Sequence, residues 1–180
     1  EIDFYVFMQY LFFAQWEKLR AYANKQGIQI IGDIPIYVSP DSCDVWAHPE
    51  MFQIDGDLKP HGVAGVPPDY YSATGQLWGN PTYNWKVIED DGFRWWIWRV
   101  RRNLALFDVT RIDHFRGFQA YWEIPEGEET AINGKWKKGP RMKLFKAIRE
   151  ALGEVPIIAE DLGDIDDAVR KFLKKSGYPG

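Results

Sequence analysis

The chain has 180 residues with 22 Lys and Arg against 26 Asp and Glu, a formal charge of −4, which excludes a strongly basic nucleic-acid binder whose phosphate contacts need a cationic surplus. Hydrophobic residues make up 46% and charged residues 27%, the balance of a packed globule rather than of a disordered segment. No apolar run reaches the roughly 18 residues of a membrane span and no basic stretch precedes an apolar one at the start, so a soluble, cytoplasmic protein with no membrane or nucleic-acid partner is expected, and the single cysteine, Cys43, suits a reducing compartment.

In chain order, Phe4, Met8, Phe12, Trp16, Leu19 and Ala23 recur at intervals of four and three and predict a first helix. The chain opens inside this periodicity without Met and closes on Gly177, Pro179 and Gly180, so residues 1–180 are expected to be an internal piece of a longer protein. Gly27 stops the helix, and residues 28–32 read as a buried strand closed by Asp33 and Pro35. From 34 to 89 the sequence shows little periodicity and many Pro, Gly, Tyr and Trp. A connection of this length and aromatic content predicts an ordered insertion overhanging a site. A helix is expected over 90–103, with Phe93, Trp96, Ile97 and Val100 on one face and Arg94, Arg101 and Arg102 on others. Then follow a strand over 106–112 ending at Asp113, a helix over 142–152 ended by Gly153, a strand over 156–159 ending at Glu160, and a helix over 164–175. Strands alternating with helices imply a parallel β/α arrangement, because a parallel neighbour is reached only by a crossover.

Each of the three strands ends at a carboxylate: Asp33, Asp113, Glu160. Any one acid after a strand reads equally well as a helix cap. Three in succession converge on the face where parallel β/α folds carry their sites. Two carboxylates across a small gap are the equipment of glycosidic-bond chemistry, one attacking the sugar carbon and the other, held protonated, delivering a proton to the leaving oxygen. Arg111 beside Asp113 favours its nucleophilic, ionised form, with a structural ion pair as the plainer reading. Glu160, after Ile157-Ile158-Ala159 and before Asp161, is expected to titrate high because of apolar surroundings and a like charge.

Other chemistries are less well equipped. The histidines, His48, His61 and His114, lack zinc-site spacing, and Asp55-Gly56-Asp57 reads first as a turn. No glycine-rich phosphate loop occurs. Cys43 reads as an ordinary thiol, and the run RWWIWRVRR over 94–102 as a packed helix face with solvated arginines. No metal or organic cofactor is expected.

The strings GDIPIYVSPDSCDVWAHPEMF, VAGVPPDYYSATGQLWGNPTYNW, RIDHFRGFQAYWEIP and PIIAEDLG closely resemble the amylomaltase family of 4-α-glucanotransferases, the disproportionating enzymes of the α-amylase clan. The resemblance runs over essentially the whole chain. It implies an α/β fold, part of a (β/α)8 barrel, with the parallel strands here as the third to fifth of the barrel and 34–89 as the aromatic-rich insertion. It also implies transfer of α-1,4-glucan segments between maltooligosaccharides by a retaining double displacement. Residue by residue, Asp113 in RIDHFRGF matches the nucleophile and Glu160 in AEDLG the general acid/base. Arg111 matches the arginine that contacts the nucleophile, Asp33 a sugar-site aspartate, Tyr71, Gln76 and Trp78 a loop over the donor and acceptor sugars, and His114 a donor-sugar contact.

The clan's third acid, an Asp preceded by His on a later strand, has no match within residues 1–180, so the chain alone is expected to be inactive. Two other functions remain open at this point: an α-glucan hydrolase of the same clan and a non-catalytic glucan-binding module. A retaining mechanism predicts that the Asp113 and Glu160 carboxyl groups lie about 5–5.5 Å apart, against roughly 6.5–9.5 Å for inversion.

Overall fold

In the computed structural model, which describes residues 1–163 and 165–180, three short strands pair as a parallel sheet. These are β1 (Ile31–Ile34), β4 (Val109–Ile112) and β7 (Ile157–Ala159), in the order β1-β4-β7. The register runs from Ile31↔Val109 to Ile34↔Ile112 on one side and from Thr110↔Ile157 to Ile112↔Ala159 on the other. Helices α4 (Arg94–Leu106), α5 (Met142–Leu152) and α6 (Asp167–Ser176) precede β4, precede β7 and follow β7 respectively. The expected mixed α/β class with a parallel sheet is therefore present.

Element boundaries follow local chemistry. Helix α5 spans the expected residues, buries Leu144, Phe145 and Ile148, and ends where Gly153 takes φ +75°. Helix α6 starts at Asp167 rather than 164. The Asp166 side chain caps it by accepting from the Val169 N–H at 2.8 Å, and Asp164 lies outside the described residues. The helix expected over 90–103 is two: α3 (Trp85–Asp90) and α4, separated by Gly92 and Phe93, both at positive φ. A left-handed Phe costs about 1–2 kcal/mol; here its ring is buried at 5% exposure, which offsets that strain. Strand β1 begins three residues later than expected. The Ile30 N–H donates to the Asp108 carboxylate and the Ile30 carbonyl accepts from the Asp108 N–H, so the ladder starts beyond them. Asp33 thus stands inside β1. Likewise 106–108 end α4 and turn, and β4 begins at Val109.

A second sheet was not expected. Strands β2 (Gly62–Val66) and β3 (Gln76–Pro81) lie within 34–89, as does the short α2 (Cys43–Ala47). The sheet is completed by β5 (Ala120–Pro125) and β6 (Lys135–Lys138), from the connection between β4 and α5, in the antiparallel order β3-β2-β5-β6. Asp55-Gly56-Asp57 is a turn in which the Asp55 carboxylate accepts from the Asp57 and Lys59 N–H groups.

An aromatic core joins these layers. Trp96 packs on Phe118 at 5.1 Å between centroids and on Tyr83 at 5.7 Å, and Phe115 meets Phe145 at 4.9 Å. In the 94–102 run, Trp95, Trp96 and Val100 are buried, Trp98 is exposed, and the Arg99 guanidinium lies over the Trp95 and Trp96 rings at 5.2 and 4.9 Å. Gly32 is required in β1 because a Cβ there would stand 2.0 Å from the Phe107 ring.

Helix α1 (Ile2–Lys25) buries none of its residues. Its second half is attached through Trp16 Nε1 donating to the Leu106 carbonyl at 2.8 Å and Arg20 paired with Asp108. Among the described residues, no helix is long and apolar enough to cross a membrane.

Candidate active site

The carboxyl ends of β1, β4 and β7 set four charged side chains beside one another. Asp33 is the register partner of Arg111 and Arg111 of Ile158, so adjacent strands present these positions side by side. The ladder then runs one step past each strand end. The Asp113 N–H donates to the Ile34 carbonyl at 2.9 Å and the Glu160 N–H to the Ile112 carbonyl at 3.1 Å. Both acids are consequently held by the main chain at one rim.

Arg111 is the hub. Its Nη1 donates to Asp33 Oδ1 at 2.8 Å, and its Nη2 stands 2.9 Å from Asp113 Oδ1 and 3.2 Å from Glu160 Oε1. Sharing one nitrogen limits those two carboxylate oxygens to within about 6 Å of each other. The Arg111 pKa is raised, chiefly by its hydrogen bond to Asp33 and then by that to Asp113, with burial opposing.

Glu160 is the most enclosed of the acids, its side chain 16% exposed against 41% for Asp113. Its other oxygen accepts the His114 N–H at 2.5 Å. That donor is aimed by a left-handed backbone at His114, φ 49° and ψ 45°. Burial raises the Glu160 pKa above the ordinary carboxylate value. The His114 N–H opposes the shift, the Asp113 charge adds to it, Arg111 opposes it, and Asp33 adds to it. The raised titration expected for Glu160 is thus present, with burial as its main cause.

Asp113 and Glu160 open onto a cleft of about 780 Å³. Gln76, Trp78, Tyr71 and His114 line it as well, whereas Asp33 and Arg111 are not part of its wall. Trp78 meets the His114 ring edge-on at 4.9 Å and donates from Nε1 to Gln76 Oε1 at 3.0 Å. Tyr71 is 94% exposed at the mouth, on a loop fixed by Asp69 Oδ1, which accepts from the Tyr71 and Ser72 N–H groups. The His114 ring is buried, and burial together with the Arg116 charge pushes its pKa down to about 4. It is therefore neutral near pH 7.

Among the wall residues that escaped the sequence reading are Trp136 and Arg116. Trp136 lies on β6, and the Arg116 guanidinium sits 4.0 Å from its ring centroid. The only local signal for Trp136 is a single aromatic among lysines in Lys135–Lys138.

A family model described as 4-alpha-glucanotransferase matches residues 1–180. The chain is 60% identical over 177 residues to a 4-alpha-glucanotransferase of Aquifex aeolicus, with 98% of this chain and 36% of the relative covered. It is 51% identical over 179 residues to a chloroplastic/amyloplastic 4-alpha-glucanotransferase of Solanum tuberosum, covering 99% of this chain and 31% of that one. Among solved structures, an amylomaltase from Streptococcus agalactiae in complex with acarbose superposes with a TM-score of 0.93 at 51% identity, over 96% of this chain and 35% of that chain. This likeness supports a partial TIM-barrel fold around the parallel sheet. The chain spans about a third of the length of these relatives. With a family model matched from end to end and relatives at half identity or better, the chain belongs to the 4-alpha-glucanotransferase family.

Proposed function

We propose that the full-length protein carrying this chain transfers α-1,4-glucan segments between maltooligosaccharides with retention of configuration. The Asp113 carboxylate attacks the anomeric carbon of the donor while protonated Glu160 gives its proton to the departing glycosidic oxygen, releasing the shortened glucan and leaving a glucosyl ester on Asp113. Glu160, now a carboxylate, takes the proton from an acceptor hydroxyl, whose oxygen attacks the same carbon and frees Asp113. Arg111 orients both acids, with Asp33 as its third partner. Trp78, Gln76, Tyr71 and His114 form the sugar-facing wall. The aromatic faces suit pyranose rings, and residues 34–89 overhang the cleft and limit water.

The observation that carries this reading is the pair of acids, Asp113 and Glu160, held by one guanidinium nitrogen at 2.9 and 3.2 Å and opening together onto the same cleft. The same segments form the third to fifth strands of an eight-stranded barrel. The remaining strands and the clan's third acid lie outside this chain, so the 180 residues alone release no glucose from maltotriose. The exposed free thiol of Cys43 suits a cytoplasmic protein.

Incubation of the full-length protein with maltotriose tests the reading. A ladder of longer oligomers is the expected result, and Asp113→Ala lowers its rate by more than about 10⁴-fold. Glucose and maltose without longer products would mean hydrolysis instead, and glucan binding without turnover would mean a binding module.

A further inference from the structure

A second cleft, of about 930 Å³, opens between α3, the start of α5 and α6, and shares no residue with the first. Its charge is opposite to that of the molecule. Seven cations line it against two acids, Glu89 and Asp90, in a chain whose net charge is −4. The two acids are already engaged, Lys143 Nζ with Glu89 at 2.5 Å and Lys86 Nζ with Asp90 at 2.7 Å. Lys138, Arg141, Lys146, Lys171 and Lys175 have no ion-pair partner among the described residues. A concave surface crowded with like charge focuses its field on whatever enters and repels its own members when empty. Such an arrangement is relieved by an anion.

The backbone adds to this field. The first residues of α5 form part of the wall, and that helix has neither a side-chain N-cap nor an acidic residue in its first turn, so no capping or first-turn side chain of its own offsets the positive end of its dipole. The floor is apolar, with Trp85, Met142 and Phe172. Indole and thioether surface accommodates the C–H face of a sugar ring, and the carboxylates of Glu89 and Asp90 retain lone pairs for sugar hydroxyls.

We infer that this cleft binds a phosphorylated sugar, with the phosphate among the five unpaired cations and the ring over Trp85. The site stands apart from the proposed chemistry and does not rest on it.

Calorimetric titration of the full-length protein at low salt tests the inference, with glucose 6-phosphate, inorganic phosphate, adenosine monophosphate and glucose as separate probes. Glucose 6-phosphate is expected to bind more tightly than the other three, several-fold more weakly at about 0.3 M salt than at about 0.05 M, and at least about tenfold more weakly to the Lys146→Ala/Lys171→Ala double variant. Both positions are surface lysines outside the first cleft, so maltotriose conversion by the double variant stays at the parent rate and reports that it is folded. Lys171→Glu, a single charge reversal, is expected to abolish binding. Absence of heat with glucose 6-phosphate, or equal affinity in the double variant, overturns the site. Equal affinity for inorganic phosphate or tighter binding of adenosine monophosphate overturns its assignment to a sugar phosphate.

Discussion

Strand β4 has an Arg–carboxylate cluster at each end, and the two clusters are built in opposite proportions. At its amino end the single carboxylate of Asp108 accepts from Arg20 Nε and Nη2, from Asn24 Nδ2 at 2.8 Å and from the Ile30 N–H at 2.8 Å. Donors outnumber acids, and the Asp108 pKa falls to about 2, first because of the Ile30 N–H and then because of the Asn24 and Arg20 hydrogen bonds. At its carboxyl end three acids share the one guanidinium of Arg111, and Glu160, the most enclosed, titrates high. The ratio of donors to carboxylates separates the two. A surplus of donors stabilises one charge state and ties elements together, whereas a surplus of acids leaves a proton poised for transfer. In β/α barrels the same polarity assigns stability to the amino ends of the strands and chemistry to the carboxyl ends.

The sharpest way to break this comparison is Glu160→Gln in the full-length protein. The amide keeps the shape and loses the transferable proton, so the rate on maltotriose falls about 10²–10⁴-fold while the unfolding midpoint holds or rises, since a neutral group relieves crowding with Asp113 and Asp33. The pH profile gives the sign. In the proposed mechanism protonated Glu160 starts the reaction, and burial raises its pKa above the ordinary carboxylate value, so the alkaline limb of kcat/KM is expected above the ordinary carboxylate range. A limb at or below that range, or a loss of stability larger than the loss of rate, would mean that Glu160 is a structural partner only.

The two clusters also differ in how far the sequence discloses them. Asp113 and Glu160 were legible because each directly follows a short strand-like segment, and a parallel strand leaves the next residue at the rim. The donors of the amino-end cluster come from α1 and from residue 30, 78 or more positions from Asp108, and no local pattern joins them. The same limit hid the antiparallel sheet. Gly62–Val66 has no polar alternation and Lys135–Lys138 is exposed throughout, so each is a strand only by virtue of its partner, and Trp136 in the cleft wall went unseen with it. Helix α5 was legible to the residue because its apolar period and its glycine stop are local. The break at Gly92 and Phe93 was not, since the burial of Phe93 that supports it is a tertiary fact.

Asp108→Asn addresses the other cluster and is expected to leave the rate on maltotriose within about twofold while lowering the unfolding midpoint of the full-length protein by a few degrees. Hydrogen exchange in α1 should rise with it, because Arg20 and Asn24 both reach the sheet through this carboxylate. The folded pKa is depressed, so the contribution of the charge is complete above the ordinary Asp value of 3.8 and is lost as pH falls toward about 2. The gap in stability between parent and variant therefore closes over that window. A gap that persists unchanged to pH 2 would separate the effect from the charge.

The smallest effect expected is that of Arg20→Lys, and it decides what kind of tie the amino-end cluster is. Arg20 presents Nε and Nη2 to the same Asp108 oxygen, at 2.9 and 2.7 Å, and Nη1 to the Ala105 carbonyl at 2.9 Å. Lysine keeps the charge and loses the fork. Hydrogen bonds rather than bare charge dominate the depression of the Asp108 pKa, with the Coulombic effect of Arg20 the least of its causes. The Ile30 and Asn24 donors remain in this variant, so its unfolding midpoint should fall by less than half as much as that of Asp108→Asn. An equal or larger fall would make the guanidinium the principal tie, and the contrast with Arg111 would then lie in what surrounds each arginine rather than in the count of donors.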